Sequence, residues 1–405
     1  MPDRQESLAS RDPAYGWAIV AALSITVTVS YGVLTYSFGI VLVPMQRDLG
    51  WSRIELTGAF SLALAVSALA GVVVGAALDR YSPRALLTGG SLLGSALVLA
   101  WSQVHNRIEL YLIFAGLGLA MAVLLYNSVF AIVTKWFRGR RREALTTVAL
   151  AGAFASFIFS PLAGKLTVEL GWREALMVLA AILAVVTIPV HAVLLRPAHR
   201  EPEEDPVARS NGTVRAVIGS RRFWQFALAL ALGSFTWSVI VVQLVPFLLD
   251  QGRSVAFAAF AAGLVGIGQL PGRLVFVAFG RMLGGSSLPV ASFGLAALAL
   301  GLLTVNRSEA AVLSFAIAFG TSAGLLTLMT ASVPSDLYGQ RIYGIVSGVI
   351  YACSNGARAA APIASSAVAM LPGHYTTLLG LLISLSVVAT LLGGFALHTE
   401  QPRAR

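Results

Sequence analysis

The sequence predicts an all-α membrane protein with twelve transmembrane helices in two pseudo-symmetric six-helix bundles. Of its 405 residues, 57% are hydrophobic and only 11% are charged, whereas a soluble domain carries roughly a quarter charged residues. Twelve apolar runs follow one another, and at roughly 20 residues for each crossing they need about 240 residues. A short segment near the start also recurs half a chain later. These observations exclude a soluble enzyme and favour a polytopic membrane protein.

The apolar runs form two groups of six, separated by one polar stretch. They cover about 17–42, 53–77, 85–103, 109–134, 144–166 and 173–195, then about 223–249, 254–280, 286–304, 309–333, 342–368 and 375–397. The N-terminus lacks the segments of a signal peptide, so we expect the first run to be kept as a helix. Residues 196–222 contain proline, glycine and charges of both signs, which is typical of a linker. We therefore predict bundles at 1–195 and 223–405, joined by a cytoplasmic linker at 196–222.

Positive charges are distributed unevenly over the predicted loops. With the N-terminus inside, 19 of the 28 Lys and Arg residues lie in cytoplasmic segments, seven lie in outer loops and two lie inside apolar runs. Such an excess orients membrane proteins. We expect both termini in the cytoplasm and a monomer in the lipid bilayer of the plasma (inner) membrane. The formal charge of +10 then needs no nucleic acid as a partner.

The recurring segment indicates an internal duplication. Val43-Pro44 is followed by Asp48, Gly50 and Ser52, and the same five residue types recur at positions 245, 246, 250, 252 and 254, an offset of 202. This offset is half the chain length, so it predicts two copies of a six-helix unit. Two parallel six-helix repeats around a central site are a transporter architecture.

The spans, the repeat and the central linker resemble the major facilitator superfamily over essentially the whole chain. The loop after the second span reads Gly75-Ala-Ala-Leu-Asp79-Arg80-Tyr-Ser82-Pro-Arg84 and is similar to the family motif G-x-x-x-D-R-x-G-x-R, with Ser82 in place of a glycine. The resemblance implies the major facilitator fold and a cytoplasmic gate formed by Asp79, Arg80 and Arg84. The alternative is that these charges only set the topology.

Two further loops resemble the monocarboxylate-porter and oxalate:formate-antiporter-like group. Lys135-Trp136-Phe137-Arg138, followed by Gly139 and three arginines, is similar to the W-F-x-R-R-R loop of that group. The segment 336–348 resembles the matching loop of the second half. Neither motif indicates a substrate, and the basic run is also suited to binding anionic lipid.

Two arginines lie within apolar runs, where an ionisable group is costly and is retained mainly for function. Arg273 lies halfway along the eighth run, one helical turn after Gln269 and on the same face. The resemblance to monocarboxylate transporters implies that Arg273 holds a substrate carboxylate, although Gln269 replaces the aspartate of that family. Arg358 lies in the eleventh run, in one polar stripe with Tyr351, Ser354 and Asn355.

A guanidinium offers paired donors that suit a carboxylate, and the oxalate:formate antiporter, a relative, uses cations on its eighth and eleventh helices. The alternative is that each arginine only bonds helix carbonyls.

The first half offers only neutral hydrogen-bonding groups at membrane depth. Tyr31 lies on the first predicted helix, and Tyr126 and Asn127 lie on the fourth. Gln243, on the seventh, is a similar neutral candidate of the second half. We predict that these residues contact the substrate, with Tyr126 as the strongest candidate. Membrane helices also use such residues simply to pack, so this alternative remains.

The leading functional prediction is a transporter of a small organic anion, a mono- or dicarboxylate, by alternating access. All 18 acidic residues map to loops, tails or helix ends, so coupling to protons or to a counter-transported anion stays open. No catalytic residues, metal site or cofactor are expected, because one cysteine and five scattered histidines show no ligand spacing. The alternatives are an efflux transporter of an apolar or zwitterionic molecule and a non-transporting sensor of the same fold.

Overall fold

The computed structural model describes residues 13–137, 140–195, 211–279, 286–338, 343–369 and 374–398. A π-helical segment, Gly32–Tyr36, lies between the first two α-helices. The helices before the linker are α1 Pro13–Tyr31, α2 Ser37–Leu49, α3 Arg53–Arg80, α4 Pro83–Ser102, α5 Arg107–Leu124, α6 Tyr126–Trp136, α7 Arg141–Leu170 and α8 Trp172–Leu194. The later helices are α9 Asn211–Ile218, α10 Arg221–Asp250, α11 Val255–Ile267, α12 Gln269–Phe279, α13 Ser287–Val305, α14 Glu309–Tyr338, α15 Tyr343–Val368 and α16 His374–Leu397.

These helices confirm the predicted all-α membrane architecture. Eleven stretches of the described residues are long and apolar enough to cross a bilayer. Three of them are interrupted: α1, the π-helical segment and α2 form one stretch, α5 and α6 form another, and α11 and α12 form a third. The twelfth long helix, α15, has 26 residues but is less apolar, because Arg358 and several small polar residues lie on it.

The linker predicted at 196–222 is partly helical, because α9 lies inside it and α10 begins at its end. Trp224 Nε1 donates a hydrogen bond to the Ile218 carbonyl at 2.8 Å, which ties the end of α9 to the first turn of α10. This short helix was not predicted from the sequence.

By their internal contacts the residues form two compact units. The first comprises Met1–Pro202 together with Leu248–Gly263, and the second comprises Glu203–Phe247 and Leu264–Arg405. Residues 248–263, which the sequence prediction assigns to the bundle at 223–405, have their contacts within the first unit. Those residues are the end of α10 and the larger part of α11.

Each unit has its own apolar core. In the first unit Phe38 stacks on Phe60 with ring centroids 4.4 Å apart, and Phe114 meets the Trp101 ring edge-on at 4.9 Å. In the second unit α10, α13, α14, α15 and α16 bury a cluster that includes Phe223, Phe226 and Phe293. Burying large aromatic side chains contributes strongly to stability, so these clusters fix how the helices of each unit pack.

The duplicated segment forms a similar turn twice, each with a left-handed glycine. Gly50 ends α2 with a φ of 66°, and Gly252 follows α10 with a φ of 77°; this left-handed conformation favours glycine. After each turn a serine begins the next helix: the Ser52 hydroxyl accepts from the Glu55 N–H, and the Ser254 hydroxyl accepts from the Phe257 N–H. The repeated glycine and serine are therefore explained by the turn itself.

Candidate functional site

Arg273 is a buried cation on α12, with 2% of its surface exposed. Its Nη2 donates a hydrogen bond to Gln269 Oε1 at 2.6 Å, and Gln269 is itself 4% exposed. The two residues were predicted to share one helical face, and the hydrogen bond between them agrees with that prediction. Because Gln269 is neutral, it orients the guanidinium without cancelling its charge.

The backbone around Arg273 is packed against α14 without intervening side chains. A Cβ added to Gly272 would overlap the Thr321 carbonyl oxygen, and one added to Gly324 would overlap the Gln269 carbonyl oxygen. The Thr321 hydroxyl also donates to the Gly268 carbonyl at 3.1 Å, at the break between α11 and α12. Small residues allow such close contact between membrane helices, so the helix that carries Arg273 is held tightly to its neighbour.

The polar stripe of α15 is half-buried in the second unit. Tyr351, Asn355 and Arg358 are each partly exposed, whereas Ser354 is 4% exposed. Ser238 of α10 donates to the Arg358 backbone carbonyl at 3.0 Å. Among the residues that the structure describes, the Arg358 guanidinium makes no hydrogen bond or ion pair, so it differs from the Arg273 guanidinium, which is bonded to Gln269.

Gln243 connects α10 to α15 through hydrogen bonds inside the second unit. Its Nε2 donates to Ser365 Oγ at 3.1 Å and to Ser366 Oγ at 2.8 Å, and the side chain is 2% exposed. These bonds give Gln243 a role in helix packing, the alternative noted above. Its contact with substrate stays a prediction.

Tyr31 and Tyr126 meet in the first unit at two interruptions of the helical backbone. Tyr31 ends α1 directly before the π-helical segment, and Tyr126 begins α6 after Leu125, whose backbone is extended at φ −91° and ψ −176°. The two ring centroids are 4.7 Å apart, and Phe130 stacks on Tyr126 at 4.9 Å. Such interruptions are often found at functional sites and occur at membrane depth only in protein-buried or water-filled surroundings.

The position of Tyr126 depends on a glycine of α7. The Tyr126 hydroxyl donates to the Ala149 carbonyl at 3.3 Å, and a Cβ on Gly152 would overlap that hydroxyl. Asn127, the next residue, has an exposed side chain. Three residues of this region were not predicted from the sequence because their side chains are not polar: Phe130, Gly152 and the extended residue Leu125.

The predicted cytoplasmic gate is only partly described. The Asp79 side chain lies outside the described residues, while Arg80 ends α3 and Arg84 lies in the first turn of α4, both exposed. Ser82 has an extended backbone, with φ −62° and ψ 127°, and Pro83 begins α4. Replacing the family glycine by serine therefore causes no strain here.

The W-F loop anchors the start of α1. The Trp136 ring lies 5.5 Å from the Tyr15 ring, and Phe137 meets Trp17 edge-on at 5.2 Å. The Arg140 guanidinium lies 5.1 Å from the centroid of the Trp17 ring. The side chains of Lys135 and Asp336 and all of Arg138 and 339–342 lie outside the described residues. The aromatic part of this motif therefore has a structural role in the first unit.

Comparison with known proteins identifies the family. The family model described as Major Facilitator Superfamily matches residues 23–362, which is most of the chain. The chain belongs to the major facilitator superfamily. It is a membrane transporter of the monocarboxylate-porter-like group, and this confirms the resemblance carried by its loop motifs.

Several relatives match most of the chain. The chain is 28% identical to bovine monocarboxylate transporter 13 over 378 residues, which cover 90% of this chain and 85% of the relative. It is 29% identical to monocarboxylate transporter 11 of Mus musculus, covering 84% of this chain and 75% of the relative. A bacterial relative, the uncharacterized MFS-type transporter YcxA of Bacillus subtilis, is 26% identical and covers 77% and 78%.

Solved transporter structures share the fold. A bacterial homologue of the human lysosomal transporter Spinster, in an inward-facing and unoccupied conformation, superposes with a TM-score of 0.72 at 15% identity, covering 96% of both chains. A variant of the nucleoside transporter NupG superposes with a TM-score of 0.74 at 14% identity, covering 93% of this chain and 99% of that one. At these identities the likeness concerns the fold alone.

Acidic residues of this transporter lie at helix ends wherever the structure describes them. Each of them, from Asp48 and Glu55 to Asp250 and Glu309, is within three positions of a helix terminus. In the same part of the chain, no group of three or more His, Cys, Asp or Glu side chains could hold a metal ion. Among the described residues, the charged side chains in the middle of long apolar helices are therefore the arginines Arg273 and Arg358.

Proposed function

We propose that this protein is a secondary transporter of a small organic anion, a mono- or dicarboxylate, working by alternating access. The observation that carries the proposal is the buried Arg273 hydrogen-bonded to the neutral Gln269. A guanidinium can donate one N–H to a neutral oxygen and still present a two-donor fork to a carboxylate. A bound anion would also lower the cost of keeping a cation at membrane depth.

The relatives support the same substrate class. Two of them are named monocarboxylate transporters, and an arginine on the eighth span is what that resemblance implies for the carboxylate contact. We propose Arg358 as a second cation for the same anion, with Tyr351 and Asn355 as its neutral neighbours on α15. Tyr126, Asn127 and Tyr31 are proposed as contacts for the uncharged part of the substrate, and Gln243 as a further one.

Proton coupling through a carboxylate of this chain is not favoured. A proton relay normally uses Asp, Glu or His at depth, and Gln269 stands where the family's aspartate is expected. We propose that the protein exchanges anions or facilitates their diffusion, with any proton moving on the substrate itself. Asp79, Arg80 and Arg84 are proposed as its cytoplasmic gate, in a monomer of the plasma or inner membrane.

Uptake by proteoliposomes tests the role of Arg273. We expect wild-type protein to take up labelled short carboxylates and Arg273→Ala to abolish uptake. Arg273→Lys keeps the charge but loses the planar fork, so it should weaken uptake markedly while folding is preserved. Arg307, an exposed arginine between α13 and α14, gives the matched control, and Arg307→Ala and Arg307→Lys should retain uptake.

Wild-type uptake by folded Arg273→Ala would contradict the carboxylate proposal. Efflux of an apolar or zwitterionic compound would then become the leading function. A thermal-shift screen of the wild-type protein against the same carboxylates gives an independent readout, because a ligand that binds the folded state raises its stability.

A further inference from the structure

The two aspartates of the duplicated segment have different partners. Asp48 lies near the end of α2 and Asp250 is the last residue of α10, at equivalent positions before the left-handed glycines Gly50 and Gly252. If both aspartates only stabilised the turn, we would expect them to make the same contacts. A contact made by both aspartates belongs to the repeated turn, whereas a contact made by one of them is specific to that copy.

Asp48 forms a cluster of polar contacts with the start of α8. Its Oδ2 accepts from Trp172 Nε1 at 3.1 Å and lies 3.3 Å from Arg173 Nη2. Arg173 also donates to the Ser102 and Val104 carbonyls at 2.8 and 3.1 Å, and its guanidinium lies 4.3 Å from the centroid of the Trp172 ring. Asp48 thus joins α2, α4 and α8, which belong to one predicted bundle.

Asp250 instead forms a salt bridge with the first residue of α3. Its Oδ2 lies 3.3 Å from Arg53 Nη2, and Arg53 Nε donates to Gln46 Oε1 at 3.4 Å. The position equivalent to Arg173 is Tyr375, whose ring packs on Phe247 at 5.0 Å and carries no charge to pair with an aspartate. The second copy has therefore kept the aspartate while lacking the arginine that binds it in the first.

The residues that follow Asp250 pack smoothly on α7. A Cβ on Gly164 would lie 2.7 Å from the Ala259 Cβ, and Ser156 Oγ donates to the Gly263 carbonyl at 3.4 Å. Small side chains and a long hydrogen bond are contacts that can separate at little cost. The Arg53–Asp250 pair is a charged contact close to this surface, and its side chains are 16% and 43% exposed.

We propose that the Arg53–Asp250 salt bridge is a gate at the end of the protein opposite the Asp79-Arg80 loop, closed in one state of the transport cycle and open in the other. The proposal rests on the alternating access proposed above. In the sequence repeat, residues 248–263 belong to the second six-helix copy, yet their contacts are with the first unit. If each copy moves as one body, these contacts must break during transport, whereas the Asp48 cluster stays intact.

Cross-linking tests whether this pair must open. The single cysteine, Cys353, is first replaced in Cys353→Ser, and Arg53→Cys with Asp250→Cys is added. We expect a short bis-methanethiosulfonate linker to reduce carboxylate uptake by proteoliposomes at least tenfold and a reductant to restore it. The matched control, Asp48→Cys with Arg173→Cys, should keep its uptake after cross-linking. Unchanged uptake by protein fully cross-linked between positions 53 and 250 would overturn the proposal.

Spin labelling separates this proposal from the proposed substrate. Nitroxides on the same cysteine pairs report distance without any transported ligand. We expect positions 53 and 250 to give a short and a longer distance in one sample, and positions 48 and 173 to give one short distance. A single short distance at both pairs would overturn the gate even if carboxylates are transported. Two distances at 53 and 250 would support it even if Arg273→Ala retained uptake.

Discussion

Replacing Gln269 by glutamate would place a negative charge next to the Arg273 guanidinium with almost no change in shape. The Gln269 Oε1 atom accepts from Arg273 Nη2 at 2.6 Å, so the two charge centres would lie about 4 Å apart. At an effective dielectric constant of about 20, this pair is attracted by about 4 kcal/mol. A substrate carboxylate would have to compete with that attraction. Because each 1.4 kcal/mol is a factor of ten, its affinity should fall by up to about 1,000-fold.

The sign of the pH dependence follows from the same pair. When the new carboxyl is charged, it holds Arg273; when it is protonated, it resembles the original amide and leaves the cation to the substrate. Uptake by Gln269→Glu should therefore rise as the pH falls, while the wild-type protein shows no such recovery. Gln269→Asp should change the pH dependence in the same direction, more than it changes the choice of substrate.

Initial rates in proteoliposomes from pH 8 down to pH 4 provide the assay, in roughly half-unit steps that resolve a single titration. Because pairing with Arg273 favours the charged carboxyl, we expect the recovery of uptake at the acid end of this range. Gln269→Met is the matched control, since it keeps the length of the side chain but has neither the hydrogen bond nor a charge. We expect its affinity to fall by about ten- to a hundredfold at every pH, because one hydrogen bond to a charged group is worth roughly 1.5–3 kcal/mol. If Gln269→Glu folds and has the wild-type affinity and pH profile, Arg273 does not bind the anion.

Three other predictions concern the second cation, the helix packing and the topology. Arg358→Ala should reduce uptake of dicarboxylates more than that of monocarboxylates, and equal losses would argue against a two-cation site. Gly272→Ala should destabilise the protein by about 1–3 kcal/mol through overpacking against α14, measured by thermal unfolding in detergent, whereas Gly294→Ala, where an added Cβ meets no described atom within 4 Å, should not. Reporter fusions near Arg209 and at the C-terminus should both report cytoplasm, and an external signal from either would refute the predicted orientation.

The helices could be predicted because a bilayer requires apolar runs of a fixed length. The run expected at 173–195 is the helix Trp172–Leu194, and the run expected at 375–397 is His374–Leu397. The interruptions at Leu125 and Gly268 could not be predicted in this way, since hydropathy records which side chains are apolar and not which backbone groups are paired. The glycine contacts of α12 with α14 were missed for a similar reason: many glycines lie in these helices, and only the packing distinguishes them.

The candidate site could be predicted where a charge marks it. Arg273 and Gln269 stand four residues apart, so their contact follows from helix geometry. The hydrogen-bond partners of Gln243 are more than 100 residues away on α15. The residues next to Gln243 in the sequence therefore do not indicate them. The different partners of Asp48 and Asp250 were equally hidden, because the sequence shows that the two copies share an aspartate but not which side chain each one meets.

The π-helical segment Gly32–Tyr36 has a consequence for how related sequences are to be aligned. A single π-turn holds one residue more than the α-helical turn it replaces, and one residue corresponds to a rotation of about 100° about the helix axis. The assignment of positions to helix faces therefore changes by one residue between the chain before the segment and the chain after it. Consider a relative that lacks the extra residue. An alignment then pairs Phe38 and its neighbours with residues on the same helix face only if it opens a one-residue gap within 32–36. A gapless alignment would pair core positions of one protein with lipid-facing positions of the other.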